Sequence, residues 1–407
     1  MSMPSAVRHI NEVRLLAALY RLGMSTRADL GRELGLMRST VGNLIAGLIE
    51  QGMVFETEVS GYTPGGRTGR PGQSVQLNPH HSAIIGADIG IDHLSVVAVG
   101  LTGIPVVSKT VDFDGPSSDV EQAVSALAAL IARVMRSLPA AQPVSGICIV
   151  APGLVDHDKG TIMRAPVLGW HDVPIQALLK EKLKWAGEIS LENDANAFAA
   201  AEVYRRVKYP TDNALFVYMD AGVGGGLVTM GRLMRGHNGF AGEIGHIHLG
   251  EHGFETNTPV QGSFESYVGR NAVLSLNRHH GGSSETLQDF LDELSVQKPA
   301  ALRTVAEWAW WMGRGIASLI SVLNPATVVL GGPVAKLYQH VEGEVMASIK
   351  KHLVLPYPIP DIVLSDLGGD ACAMGGAMTL HRNLLTFNDK LVFGGEVEDG
   401  SAIHPPV

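Results

Sequence analysis

From Ala83 onward the apolar pattern spells out the same order of elements twice, and a chain that repeats strand, strand, strand, helix, strand has few ways to fold. The segments SAIIGADIG, HLSVVAVGL and IPVVSKTVDF are rich in β-branched residues and broken by turns at GID and TGI. The amphipathic DVEQAVSALAALIARVMRSL follows, then the apolar VSGICIVAPG. The second pass runs through NALFVYMDAG, GGLVTMG and EIGHIHLG as strands and TVAEWAWWMGRGIASLISVLN as a long helix. It ends with the strand TVVLGGP, the helix VAKLYQHVEGEVMASIKK, the strand DIVLSD and the helix ACAMGGAMTLHRNLL. Two such halves make an α/β protein of two lobes facing a cleft, where a ligand would sit.

The residues before Ala83 have a different texture. Helical spacing runs through INEVRLLAALYRLG to Gly23, TRADLGRELG opens with Thr26 and Asp29 in capping-box spacing, and RSTVGNLIAGLIEQG runs to Gly52. The turn GLM is too short for anything but an angled helix pair, so the third helix is the one presented to a DNA groove. Its first turn carries Arg38, Ser39, Thr40 and Asn43, the candidates for reading bases. MVFETEV and QSVQLNP pair as strands around GYTPGGRTGRPG, a wing whose Arg67 and Arg70 sit among glycines that permit close approach to a minor groove. Three helices and an Arg-Gly wing predict a winged helix-turn-helix over residues 1–80.

Charge separates the two parts. Residues 1–80 hold eight Arg, no Lys and six acids, a net of +2 that leaves −11 for the rest of a chain whose total is −9. Arginine alone suits planar hydrogen bonding to phosphates and base edges. A hydrophobic content of 45% over 407 residues supports a large core. No apolar run approaches the ~20 residues of a membrane span, and the N-terminal stretch lacks a secretory signal, so the expected compartment is the cytoplasm. Cys148 and Cys372 sit in apolar or small-residue surroundings and read as buried thiols.

Five motifs in order carry a family resemblance: GRPG after the helices, LENDANAFAAAE, AGVGGGLV, GFAGEIGHIHLG and VVLGGPV. The chain resembles the ROK family of repressors and sugar kinases, on the actin and ribonuclease H-like fold, and in particular its transcriptional-regulator branch, typified by the xylose and N-acetylglucosamine repressors. The resemblance implies lobes over residues 81–200 and 201–385, with the C-terminal helix free to return to the first lobe, and a tail over 386–407. It also implies that Asn193, Asp194, Glu243, His246 and Glu265 bind a sugar, with the residue matching Asp194 acting as base in the kinases. The chemistry is apt, because carboxylates, an amide and an imidazole can pair with hydroxyls that both donate and accept.

The chain departs from that family at four places. Where the kinases carry D-x-G-G-T, this sequence has Asp88-Ile89-Gly90-Ile91-Asp92. The second glycine loop reads Asp220-Ala221-Gly222-Val223-Gly224-Gly225-Gly226, without the hydroxyl. Two added carboxylates are expected to repel a triphosphate. Thr256, Thr258 and Ser263 stand where the family's zinc cysteines fall, and hydroxyls are poor zinc ligands, so no metal and no cofactor is expected. Val167 replaces an Asn common in the family's sugar pocket.

The reading is a non-enzymatic regulator, a repressor whose partners are operator DNA and a sugar or polyol effector. It is expected to act as a homodimer or dimer of dimers without membrane attachment. The competing reading is an ATP-dependent sugar kinase with a DNA-binding appendage.

Overall fold

The computed structural model describes residues 3–58, 73–139, 142–205, 213–255, 258, 260–354 and 356–385. The chain divides into two compact units, residues 1–82 with 100–104 and 380–407, and residues 83–99 with 105–379.

In the first unit α1 (Met3–Leu22) leads to a short strand β1 (Met24–Thr26), then α2 (Arg27–Leu34), α3 (Arg38–Glu50), β2 (Val54–Glu58) and β3 (Gln73–Leu77). Thr26 starts α2 by accepting the Asp29 N–H at 3.1 Å. Gly35 ends it in the left-handed region at φ 66°, which a residue without Cβ adopts freely. Helix α3 buries Val41, Leu44, Ile45 and Leu48 at helical spacing, and these pack with Leu15, Leu19, Leu30 and Val75. The strands pair in the order β1-β3-β2. The three residues of β1 are too few to show a period in sequence. Residues 59–72, with Arg67 and Arg70 of the expected wing, lie outside the described residues.

The second unit opens with β4 (Ala83–Ile89), β5 (His93–Gly100), β6 (Pro105–Asp112), α4 (Val120–Ser137) and β7 (Val144–Ala151). A small antiparallel sheet, β8 (Leu154–Asp156), β9 (Thr161–Ala165) and β10 (Trp170–Val173), precedes α5 (Ile175–Leu183), β11 (Glu188–Asn193) and α6 (Asp194–Arg205). The second half holds β12 (Asn213–Met219), β13 (Val223–Thr229), β14 (Arg232–Leu233), α7 (Phe264–Val268), α8 (Arg270–His279), α9 (Leu287–Ser295) and α10 (Pro299–Leu323). It closes with β15 (Thr327–Gly331), α11 (Glu342–His352), β16 (Asp361–Leu364) and α12 (Ala371–Leu385). The five-stranded sheets run β11-β7-β4-β5-β6 and β14-β13-β12-β15-β16. Each places its first strand at the centre, with antiparallel strands on one side and parallel ones on the other. Helix α12 returns to the first sheet, where a Cβ on Gly86 would lie 1.7 Å from Ala373 O.

Two sequence expectations fail. EIGHIHLG is no strand: Ile244–His246 is a 3-10 turn, His248 makes only an isolated bridge to Ser263, and the third strand is β14. The cause is close backbone packing. Gly242, at φ 101°, presses on β13 so that a Cβ would fall 1.9 Å from Gly225 O, and Gly225 N–H bonds Gly242 O at 2.8 Å. The helix expected from Val334 to Lys351 is instead a 3-10 stretch, Val334–His340, and then α11, broken at Val341. Val334, Leu337, Tyr338 and Val341 are all buried, and that packing holds the tighter turn.

Candidate functional site

Within the second unit the two sheets aim their strand ends at a cavity of about 640 Å³, and all five sugar-site candidates line it. Asn193 ends β11 and Asp194 begins α6. Asn193 Oδ1 accepts the N–H groups of Ala195 and Asn196 at 3.0 and 3.1 Å, and its Nδ2 donates to Gly153 O at 3.0 Å. Asn193 therefore caps α6 and lines the cavity, with one amide proton beyond its bond to Gly153.

Asp194 accepts the Ala195 N–H at 2.8 Å. Burial pushes its carboxyl up to about 7, helped by the fields of Asp88, Glu243 and Asp220 and opposed by that N–H. Across the cavity the 3-10 turn presents His246 between two acids, with Nδ1 at 3.6 Å from Glu243 and Nε2 at 3.6 Å from Glu265. Burial also raises Glu243, a shift that His246 opposes and Glu265 assists. Glu265 leads α7, and α10 holds that helix through Trp308, whose Nε1 donates to Val268 O at 3.0 Å. Cβ atoms on Gly222 and Gly245 would come within 3.3 and 3.2 Å of Glu265 Oε2, so glycine at both positions gives the carboxylate its room.

Thr258, at one of the cysteine positions of the zinc pattern, donates to Glu265 Oε1 at 3.1 Å. A hydroxyl thus orients this acid directly. Ser263, another of those positions, is fully buried. Thr256, the third, lies outside the described residues, as do Asn257 and Pro259.

At the other end of the cavity the altered loops form a chain of charges. His93 lies 3.3 Å from Asp88 and 2.9 Å from Asp92, and Arg270 reaches Asp92 at 3.1 Å and also Asp220. The carboxylates of Asp88 and Asp92, as acceptors for its ring nitrogens, raise His93 to about 10, and the bond from His93 holds Asp92 down at about 2. The imidazole also lies over Gly90, where a Cβ would fall 2.4 Å from its Cε1. The expectation of two bare carboxylates repelling phosphate therefore needs correcting. Arg270 and His93 pair with them, and the His93 ring covers the Gly90 backbone.

In the first unit Arg38, Ser39 and Asn43 are exposed at the start of α3 and Thr40 is half-buried. The arginine bias does not amount to a bare positive face. Arg8, Arg21, Arg27 and Arg32 pair with Glu12, Glu33, Glu56 and Asp29, and Arg14 donates to Asn11 and to Leu34 O at the end of α2. Among the described arginines of residues 1–82, Arg38 stands without such a partner.

The ROK family model matches residues 84–383. The chain belongs to the ROK family. Over 404 residues, 96% of the chain and 100% of the relative, it is 26% identical to a putative xylose repressor of Caldicellulosiruptor sp.. A glucokinase of Halalkalibacterium halodurans is 32% identical over 254 residues, 57% of the chain and 74% of the enzyme. Among solved structures, a ROK family transcriptional regulator, a homologue of the E. coli MLC protein, superposes with a TM-score of 0.76 at 22% identity, covering 96% of this chain and 98% of that one. The repressor match thus runs through the N-terminal unit and the glucokinase match is partial. No helix among the described residues is long and apolar enough to cross a membrane.

Sequence reasoning missed three polar residues in their place on this ROK cavity, Glu255 and Asn271, joined at 2.9 Å, and His93 in its pairing role, and also Arg270, which pairs with Asp92 and Asp220. Asn271 and Arg270 stand at the start of α8, and no local pattern announces that this helix faces the glycine loop of β12 and β13.

Proposed function

We propose that this protein is a sugar-responsive DNA-binding regulator, a repressor that a neutral monosaccharide or polyol releases from its operator. The observation that carries the reading is the contrast inside one cavity. Asp194, Glu243, His246 and Glu265 line open space, while in the two loops where the family's kinases are expected to hold phosphate His93 and Arg270 pair with Asp88, Asp92 and Asp220. Asp194 and Glu243 accept sugar hydroxyls, His246 and the spare Asn193 amide proton donate, and Glu265 completes the shell. Without a bound nucleotide there is no phosphoryl group to transfer, so the base role that Asp194 has in the family's kinases lapses here.

Residues 1–80 act as the reader, with Arg38, Ser39, Thr40 and Asn43 on base edges and phosphates and Arg67 and Arg70 in the minor groove. A homodimer places two readers on a palindrome, because one three-helix unit contacts too few bases for genomic selectivity. The names of the repressor relatives make D-xylose the first effector to try, and the glucokinase makes D-glucose the second.

The test pairs a thermal-shift screen of neutral sugars, sugar acids and polyols with gel-shift titration on an operator selected from random DNA. A sugar should raise the melting temperature and release the DNA. Replacing Asn43 with Ala should relax base preference at one half-site position by about 1–3 kcal/mol, and replacing Arg38 should weaken binding to all sequences. Sugar-dependent ATP consumption by the purified protein would favour the kinase instead.

A further inference from the structure

The acids of the sugar shell come from two sheets, so something must fix their spacing. Asp194 follows β11 of the first sheet, and Glu243 sits on the loop after β14 of the second. Two residues before Asp194 stands Glu192, the penultimate residue of β11 and 1% exposed. Arg235 reaches its Oε2 from the second half with two hydrogen bonds, at 2.6 and 3.2 Å. Glu192 Oε1 accepts the backbone N–H of Asn193 at 3.0 Å. His157 lies against the same oxygen at 3.4 Å, with its Nδ1 2.6 Å from Leu191 O.

The other side of this contact is equally defined. Arg235 O accepts the Ala241 N–H at 2.9 Å, which closes residues 235–241 into a bracket. Gly242 O then accepts from Gly225 at 2.8 Å, and Glu243 is the next residue. One run of hydrogen bonds thus leads from the residue before Asp194, through Glu192 and Arg235, to Ala241, two residues before Glu243. A carboxylate this deeply buried is costly unless it is paired with good geometry. The cost makes the contact unforgiving: without Arg235 the bracket loses its attachment to the first sheet.

We infer that Glu192 and Arg235 form a strut across the cleft that sets the separation of Asp194 and Glu243, making Arg235 a positioning residue for sugar recognition. The strut rests on the sugar reading of the cavity for its purpose and on the hydrogen bonds above for its existence. Two separate readouts address the two questions.

The experiment compares the full-length protein with Arg235→Met, Arg235→Lys and the double variant Glu192→Gln/Arg235→Met. The double variant removes both charges and keeps the Oε1 acceptor for Asn193. Melting temperature, affinity for D-xylose and D-glucose by calorimetry, and hydrogen exchange over residues 235–246 are measured for each. Arg235→Met should melt lowest, because it strands a buried carboxylate. The double variant should regain most of that loss, yet bind sugar on the order of tenfold more weakly and exchange faster across 235–246. Lys keeps the charge without the two-pronged contact and should fall between.

A double variant with wild-type affinity and wild-type exchange in that segment overturns the strut, and so does a binding loss that merely follows melting temperature across the series. Should neither sugar bind the wild type, the effector assignment falls, and exchange across 235–246 still decides the strut. Should the double variant fail to fold, the same exchange measurement on Arg235→Lys decides it.

Discussion

The two ends of the cleft use the same kind of side chain to opposite ends. Asp194, Glu243 and Glu265 line the cavity and are held by neutral donors or an imidazole: Asp194 by the Ala195 N–H, Glu265 by the Thr258 hydroxyl, and Glu243 and Glu265 by the His246 ring at 3.6 Å. Asp88, Asp92 and Asp220 each lie against a cation. Burial pushes Asp194 up to about 7 and also raises Asp88 and Asp220 against the pull of their cations, while the more exposed Asp92 is held at about 2 by His93. A carboxylate satisfied inside the protein asks nothing of a ligand, whereas one left over does. The ROK frame thus leaves acids lining open space at one end of the cleft and sets ion pairs at the other.

The strongest way to break this comparison is to remove the open acids. Asp194→Ala and Glu243→Ala each delete an acceptor for sugar hydroxyls, and a hydrogen bond to a charged group is worth about 1.5–3 kcal/mol, so sugar affinity should fall on the order of tenfold to a hundredfold. Operator binding without sugar should stay near wild type, because neither residue belongs to the N-terminal unit. Calorimetry and gel shift check the two halves of the claim. Wild-type sugar sensitivity in both variants would show that the effector binds elsewhere.

A second variant attacks the closed end. Arg270→Ala leaves Asp220, 8% exposed, without its guanidinium. The expected loss is about 1–3 kcal/mol, below that of a fully buried pair because Arg270 is partly screened by solvent. Thermal or urea denaturation measures it. ATP turnover should remain at background, since the His93 ring still covers Gly90.

How much of this was legible in the sequence depends on the range over which each signal acts. Helix α3 showed itself through Val41, Leu44, Ile45 and Leu48, and β4 through β7 through their β-branched runs, because those patterns are local. The turn that holds Glu243 and His246 was misread as a strand. Its hydrophobic spacing fits either, and only the approach of Gly242 to Gly225, seventeen residues earlier, decides between them. The five sugar-site candidates, which share one cavity, come from motif order, whereas Asn193 as the cap of α6 does not, since Asn and Asp are both good caps and stand side by side. Arg270 was invisible for a further reason: its partners Asp92 and Asp220 lie 178 and 50 residues away.

A third prediction sharpens the comparison through pH. With its folded pKa raised to about 7 from an ordinary 3.8, Asp194 holds a proton in the folded protein where the unfolded chain has lost it. It thus favours folding most below pH 4, and that contribution declines as pH rises towards 7. Sugar binding has the opposite sign. A hydroxyl that donates to Asp194 favours the ionised carboxyl, so affinity should climb as pH rises through about 7 and then level off, with a proton released on binding below that value. Calorimetry in buffers of different ionisation enthalpy reads the proton directly, and Asp194→Asn should flatten the profile. A rise that persists unchanged in Asp194→Asn would assign the titration to another group.

The smallest expected effect is at Asp92, and it separates neutralisation from obstruction. Asp92 is 59% exposed in its side chain and shares Arg270 with Asp220, so Asp92→Asn should cost less than about 1 kcal/mol and leave sugar affinity unchanged. It also removes one of the two acids that hold His93 protonated, while Asp88, buried at the end of β4, keeps the other contact at 3.3 Å. The His93 pKa should therefore drop from about 10 yet stay above its ordinary value, as proton NMR of the imidazole can follow. If nucleotide affinity stays absent in Asp92→Asn and appears only when His93 is also cut back to Ala, the ring over Gly90 excludes phosphate. If Asp92→Asn alone admits Mg·ATP, charge rather than the ring keeps that end closed.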